Sequence, residues 1–498
     1  MADWYAVAGT SGGSGTLLDP WQTEADIVWT NLDPGDTLWL QGTFTETFAS
    51  SRSGTSKDIP ITIDGMLGES KAIIDCENVR EHGVTNILGD YTKWRNLDVR
   101  NAEATPDPQA GSGTCVLIDR SDGVVLENID TSGAYWDGIF IYDSNNCDVK
   151  SCTAIDNKIR GIIFATRPPT LGAISAGTCT DCTMTGNGRR GYTVSASDEN
   201  WDDIKNVVCK RATITGNGEG VEFEYCVNCE ISDSVISENT LEGLDPFGDE
   251  DGKGIGIQLA QDVHIINNTI QNNRVYGVYS NATGPLPSSF HLLGNIITGN
   301  IGDGAIYMHN TSHSLARIIG NYLSAPTALT TNWILLAREC SSQLSFMNNV
   351  CVEGIAGWRQ GSAVTTGICK NNIFIDQTDI GTNTGYTIFQ NLGGNTVDID
   401  NNVYWRTDEG QTKMKIDNAD KDTNAEILTI DSNAIFEDPG LDSNYKPTNP
   451  NLIATGVYDS SVVPGVDING EPFPSIDLDI GCVQGTDAAN HPFHPLNL

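Results

Sequence analysis

The chain has 498 residues, 52 of them Gly, and its 28 Lys and Arg stand against 65 Asp and Glu for a formal net charge of -37. That imbalance excludes wrapping of DNA or RNA and argues against an acidic membrane surface, since both need a basic face. No apolar run reaches the roughly 18 residues of a bilayer-spanning helix, and at this length either two or three domains or one elongated repetitive domain is allowed.

In chain order, the opening Met1-Ala2-Asp3-Trp4 has neither a basic start nor an apolar h-region. A protein bound for the outside is then expected to have lost its signal or to leave inside a phage particle. Residues 1–30, with Gly12-Gly13-Ser14-Gly15, are expected to cap the fold. Strand-like runs follow at Thr37-Leu38-Trp39-Leu40, Gly42-Thr43-Phe44 and Ile61-Thr62-Ile63-Asp64. From about residue 110 to 310 the chain cycles through β-like run, polar turn, second β-like run, and Asn followed closely by Gly. The Asn positions are 157, 187, 217, 239, 273 and 300, and the Gly positions 161, 191, 220, 243, 277 and 304. Asn-to-Asn intervals of 22 to 34 residues are one turn of a coil, bare or with insertions.

Runs such as Ile139-Phe140-Ile141-Tyr142, Val221-Glu222-Phe223-Glu224-Tyr225 and Ile255-Gly256-Ile257-Gln258-Leu259 are too short for helices and suit strands. Stacked short strands pair with the rungs above and below, and an Asn at one corner of each rung bonds backbone and neighbours in a ladder. Thirteen cysteines include CxxC spacings at Cys179/Cys182 and Cys226/Cys229. Phasing on the Asn series puts Cys179 over Cys209 and Cys152 over Cys182, so they read as small core residues in stacks rather than thiolate ligands. The expected fold is an all-β, right-handed parallel β-helix with an Asn ladder over residues 31–430, closed by an irregular segment at 431–498.

On these rungs, on the entry strands, and on later ones such as Cys369-Lys370-Asn371-Asn372-Ile373, the sequence resembles the pectin-lyase-like superfamily over about residues 30–430. The segment from Asp438-Pro439 onward resembles the closing segment of such domains. The resemblance implies a carbohydrate-active protein, secreted or on a phage virion, monomeric or trimeric, with a polysaccharide in an open groove. It does not select the chemistry, because the fold hosts lyases, hydrolases, epimerases and tail proteins.

Alternation points Val221, Phe223 and Tyr225 inward and Glu222 and Glu224 outward together, with Cα atoms about 6.6 Å apart. Aligning the Gly positions puts Phe140 and Tyr142, Ile163 and Ala165, and Thr193 and Ser195 on that outward face, followed by Gln258, Tyr279, Ile306 and Met308. Phe140, Tyr142, Trp136, Gln258 and Tyr279 are the expected sugar contacts, with Arg160 and Arg190 at one corner of successive rungs. The insertion at residues 244–253 adds Asp245, Asp249, Glu250 and Asp251.

Glycoside hydrolysis needs one protonated and one ionised carboxyl. Glu224 with Asp245 or Asp249, and Glu222 as partner, are the catalytic candidates; Asp137, Asp202, Asp203 and Glu242 are further acids near the groove. The rival chemistry is β-elimination. The Glu-x-Glu strand and the basic corner resemble a family of calcium-dependent alginate and chondroitin lyases, which implies Ca²⁺ on Glu222 and Glu224 with Lys253 or Arg190 acting on the proton. The density of hard oxygen ligands in the insertion makes Asp249 and Asp251 further metal candidates, or else acid/base supply. Cys229 and Glu230 occupy the stretch where that family carries its catalytic Lys, and an Asp-Asp pair before Gly-His-Gly is absent. A third reading is a glycan-binding phage-tail protein.

Overall fold

The computed structural model describes residues 1–449 and 452, except 11, 104–111, 167–173, 197–202, 241–251, 282–287, 303, 310–312, 325–332, 339–342, 354, 360–365, 376–385, 392–395, 407–412, 417–418, 422 and 443–446. The expected closing segment therefore lies largely outside the described residues. The chain forms two compact units, Met1–Gly256 and Ile257–Leu498.

In the first unit each turn of the coil contributes three strands, each paired in parallel with its counterpart one turn away. One face stacks Cys147–Lys150, Gly177–Thr180, Val207–Lys210 and Glu230–Ser232. A second stacks Thr153–Ile155, Thr183–Thr185, Thr213–Thr215 and Val235–Ser237. The third stacks Asp137–Tyr142, Arg160–Thr166, Arg190–Ala196 and Glu219–Glu224. Parallel crossovers of this kind wind right-handed, and the fold is a right-handed parallel β-helix. Residues 1–30, expected as a cap, contribute a strand of their own: Asp3–Val7 pairs in parallel with Thr37–Gln41.

Alternation decides what enters the coil. Val149, Cys179, Cys209 and Ile231 form one inward column, and Ile141, Phe164, Val194 and Phe223 another, all fully buried. Each such side chain contributes about 1.5–3 kcal/mol by leaving water. Cys152 also meets Cys182, which touches Cys179 in turn. The eleven described cysteines are all buried free thiols, as a core stack requires.

The bends between faces rest on single left-handed residues. Ser151, Asp181, Arg211 and Asp233 lie between the first and second strands of their turns, and Asp156, Gly186, Gly216 and Glu238 follow the second, with φ from 51° to 68°. One residue at positive φ turns the chain without interrupting the stacking, which is why Asp and Gly recur there.

Inside these corners run the Asn ladders. Asn157 donates from its backbone N and its Nδ2 to Asn187 Oδ1 at 3.1 and 2.9 Å, Asn187 does the same to Asn217, and Asn217 to Asn239. Asn187 and Asn217 also donate to the Ala154 and Met184 carbonyls. In the second unit Asn273 and Asn300 continue the pattern, and a ladder at the other corner joins Asn268, Asn295, Asn321, Asn349, Asn372 and Asn402. It ends on Asp431, whose carboxylate accepts from the Asn401 and Asn402 backbones, Asn402 Nδ2 and Tyr404 OH. In the first unit that corner holds Cys152, Cys182, Ala212 and Ser234, each just before its short strand.

Two expectations of facing are corrected. Tyr225 does not enter the core: its φ of 49° ends the strand at Glu224, and Cys226 takes the buried place. In the second unit Tyr276 pairs with Gly304 and Tyr279 with Tyr307, so Ile306 and Met308 point inward and Tyr307 and His309 take the outward face. Alignment on Gly277 and Gly304 fails by one residue, and a one-residue slip reverses every side chain of a strand.

Candidate functional site

The strand register of the first unit lines up a column of charge at the start of the third face. Asp137 pairs with Arg160, Arg160 with Arg190, and Arg190 with Glu219. Each residue directly precedes the rung Gly at 138, 161, 191 or 220, so the same corner delivers a long polar side chain on every turn. Asp137 is fully buried and accepts from Arg160 Nε at 2.8 Å, with Nη2 at 3.4 Å from its other oxygen. Burial raises the Asp137 carboxyl above its ordinary value although Arg160 opposes it.

One rung on, acids and cations interlock. Arg190 Nε lies 3.2 Å from Glu219 Oε2, and its Nη1 2.5 Å from Glu222 Oε2. Lys253 Nζ lies 3.9 Å from Glu219 Oε1. Room for the Glu219 carboxylate depends on Gly256, where a Cβ would sit 2.3 Å from Glu219 Oε1. Glu219 was not among the candidates read from the sequence. Its signal was the position before a rung Gly, shared with Asp137, Arg160 and Arg190.

Glu222 and Glu224 share the face opposite Val221 and Phe223, in register with Thr193 and Ser195. Glu222 is only 4% exposed, and its carboxyl is pushed up to about 7 by burial; Arg190 and Lys253 oppose the rise, while Glu219 and Glu224 add to it. Glu224 is half-buried and accepts from Ser195 Oγ at 2.9 Å. For Arg190, burial works against the charge, but Glu222, Glu219 and Glu224 outweigh it and hold the guanidinium firmly protonated. Two neighbouring carboxyls, one inclined to keep its proton at neutral pH and one tied to a hydroxyl, can divide acid and base roles.

The other expected contacts fall in different settings. Phe140 and Tyr142 are on the outward face in register with Ile163 and Ala165, but 3% and 8% exposed, packed with those two residues and Leu117. Their rings are not presented to solvent, which corrects the expectation of an open aromatic strip there: mutual packing of apolar side chains outside the coil buries them. Trp136 is half-buried, and its carbonyl accepts from the Ile159 and Arg160 backbone N–H groups. Lys158 lies 3.7 Å over the Tyr135 ring. Asp202, Glu242, Asp245, Asp249, Glu250 and Asp251 lie outside the described residues.

In the second unit Gln258 ends the strand Ile255–Gln258 and is half-buried. Tyr279 belongs to an aromatic platform with Tyr276 at 5.4 Å and Tyr307 at 5.7 Å, and His309 stacks on Tyr307 at 5.8 Å. These rings are half-buried, so one side of the platform meets solvent.

For calcium, the described donors do not fit. Ca²⁺ takes six to eight oxygens. Here Arg190 Nη1 occupies Glu222 Oε2, Glu219 lies between Arg190 and Lys253, and Glu224 is held by Ser195.

Fold and site together define a right-handed parallel β-helix carrying a buried carboxylate–arginine cluster on one face. The family model "Right handed beta helix region" matches residues 173–323, and "Periplasmic copper-binding protein (NosD)" matches residues 95–246. No curated protein matches in sequence. Among solved structures, a PL6 family alginate lyase is similar at a TM-score of 0.50 and 14% identity, covering 98% of this chain and 59% of its own. Pectate lyase Pel9A gives 0.43 and 14%, covering 97% of this chain and 96% of its own. A GH136 lacto-N-biosidase from Eubacterium ramulus gives 0.42 and 12%, covering 81% and 64%. Identities this low speak to the fold alone. Among the described residues no helix is long and apolar enough to cross a membrane.

Proposed function

We propose that the protein is a polysaccharide-cleaving glycoside hydrolase in which Glu222 is the general acid and Glu224 the second carboxylate. The supporting observation is the pair itself: Glu222 buried with its carboxyl pushed up to about 7, two residues from Glu224, which a hydroxyl stabilises. Glu222 then protonates the departing glycosidic oxygen. Glu224 either attacks the sugar or activates water, and the anomer first released tells which. Asp245 and Asp249, on the following insertion, are the alternative second carboxylates. A net charge of -37 repels long polyanions and favours a neutral or weakly charged glycan. The Tyr276, Tyr279 and Tyr307 platform suits stacking on sugar rings. A polymeric glycan substrate goes with a place outside the cytoplasm, in the periplasm, in the medium or on a virion.

β-Elimination is the second reading, favoured by Lys253 and Arg190 beside the acids, which would face a uronate carboxylate. Digestion of a panel of neutral and uronic-acid polysaccharides separates the two. New reducing ends without absorbance of an unsaturated product support hydrolysis. Absorbance rising with each cut and abolished by chelator overturns it.

A further inference from the structure

We propose that Asp262, His264 and His291 of the second unit form a binding site for a divalent first-row transition metal of the zinc type, distinct in chemistry from the carboxylate cluster of the first unit. His264 and His291 stand on neighbouring rungs in direct register, their rings stacked 4.7 Å apart at an 11° angle. Both Nε2 atoms converge on Asp262 Oδ1, at 3.3 Å from His264 and 3.0 Å from His291. All three donor atoms lie within 4.8 Å of one another, and among the described residues this is the group of metal-type donors that gathers so closely.

Metal–ligand distances of about 2.0–2.1 Å put the ligand atoms of a tetrahedral zinc about 3.3 Å apart. The Asp262 oxygen keeps 3.3 Å to His264 and 3.0 Å to His291, so a small opening of the second contact admits the ion. Two imidazoles and one carboxylate suit Zn²⁺ and its first-row neighbours, whereas calcium prefers oxygen throughout.

The rest of the site is built to hold the three donors. Val263 and Ile265 flank His264 in sequence and are fully buried, so the strand cannot rotate its histidine away. The Asp262 backbone N–H donates to Ser289 Oγ at 2.8 Å, and its φ of 53° sets the carboxylate at the bend before the strand. The Asp262 side chain is 51% exposed, leaving an approach for the ion and for water as a fourth ligand. Arg317, in register on the far side of His291, is an opposing charge that limits the affinity.

Titration of the metal-free full chain with ZnCl₂ by calorimetry, repeated with Co²⁺ and read by visible absorption, tests the proposal. Saturable zinc binding is expected, weakened by about tenfold or more in Asp262→Asn and in His264→Ala with unchanged circular dichroism. The Co²⁺ spectrum is expected to show d–d bands without thiolate charge transfer. Asp262→Asn keeps the side chain's size and a hydrogen-bond acceptor, so a loss there reports lost ligation rather than lost folding. Absence of saturable binding, equal affinity in the wild type and Asp262→Asn, or a thiolate signature in the cobalt spectrum overturns the site.

Discussion

Glu222 is where sequence pattern, burial and charge meet. Its folded-state carboxyl sits at about 7 against an ordinary 4.5, so between those values the folded protein keeps a proton that the unfolded chain releases. Its contribution to stability is therefore fully present below about pH 4.5 and is lost as pH rises through about 7. Melting temperatures of the wild type and Glu222→Gln across pH 4 to 8 are expected to diverge, with the variant losing much of the wild type's decline; parallel curves would contradict the assignment. Ser195→Ala removes the hydroxyl on Glu224, and a fall in kcat of about tenfold with little change in KM is expected from steady-state kinetics. The Glu222 and Glu224 pair was legible in the sequence, because alternate residues of a strand share a face. The roles of Glu219 and Arg190 were not. Long side chains reach across rungs, and periodicity fixes where a Cβ points, not which neighbour the head group finds.

At the scale of elements, the coil is held by polar stacks as much as by its core. Asn217 is fully buried and joins Asn187, Asn239 and the carbonyls of Met184 and Thr215. Asn217→Ala strands those partners without water and is expected to cost about 2–3 kcal/mol, measured by urea unfolding. The Asn157-to-Asn300 series was readable because the same residue type recurs at one corner. The ladder at the other corner showed only in the Asn-Asn pairs of later rungs such as Asn371-Asn372, because the first unit fills that corner with Cys152, Cys182, Ala212 and Ser234. Small residues that close a corner with little polar bonding leave no repeating letter. The slip at Tyr307 has a similar origin: an extra residue in a turn costs little in sequence pattern yet reverses a face.

For the whole chain, the cysteines give a stringent test of the stacking. Thirteen are present, and the eleven described ones are buried, with the Cys76 and Cys147 thiols each pushed up to about 12 by burial. A thiol buried in the coil is out of reach of a water-borne reagent and does not react while the fold holds. Native protein is expected to show two or fewer thiols reactive to Ellman's reagent, rising to thirteen in denaturant. A count well above two in the native state would contradict the core. Fold class was legible because a repeated coil writes itself into the sequence many times. The site was legible only in part: its charged column recurs before the rung Gly on four turns, but which acid each cation meets is decided by side chains that reach across rungs.

The central claim is that Glu222 carries the proton that cleaves the substrate. The pH dependence of kcat/KM on the hydrolysed glycan, for the wild type and Glu222→Gln, tests it most directly. The account predicts a wild-type rate that falls above about pH 7 and a variant slower by about 10²–10⁴-fold from which that falling limb is gone. A variant that keeps the wild-type rate and its falling limb would contradict it.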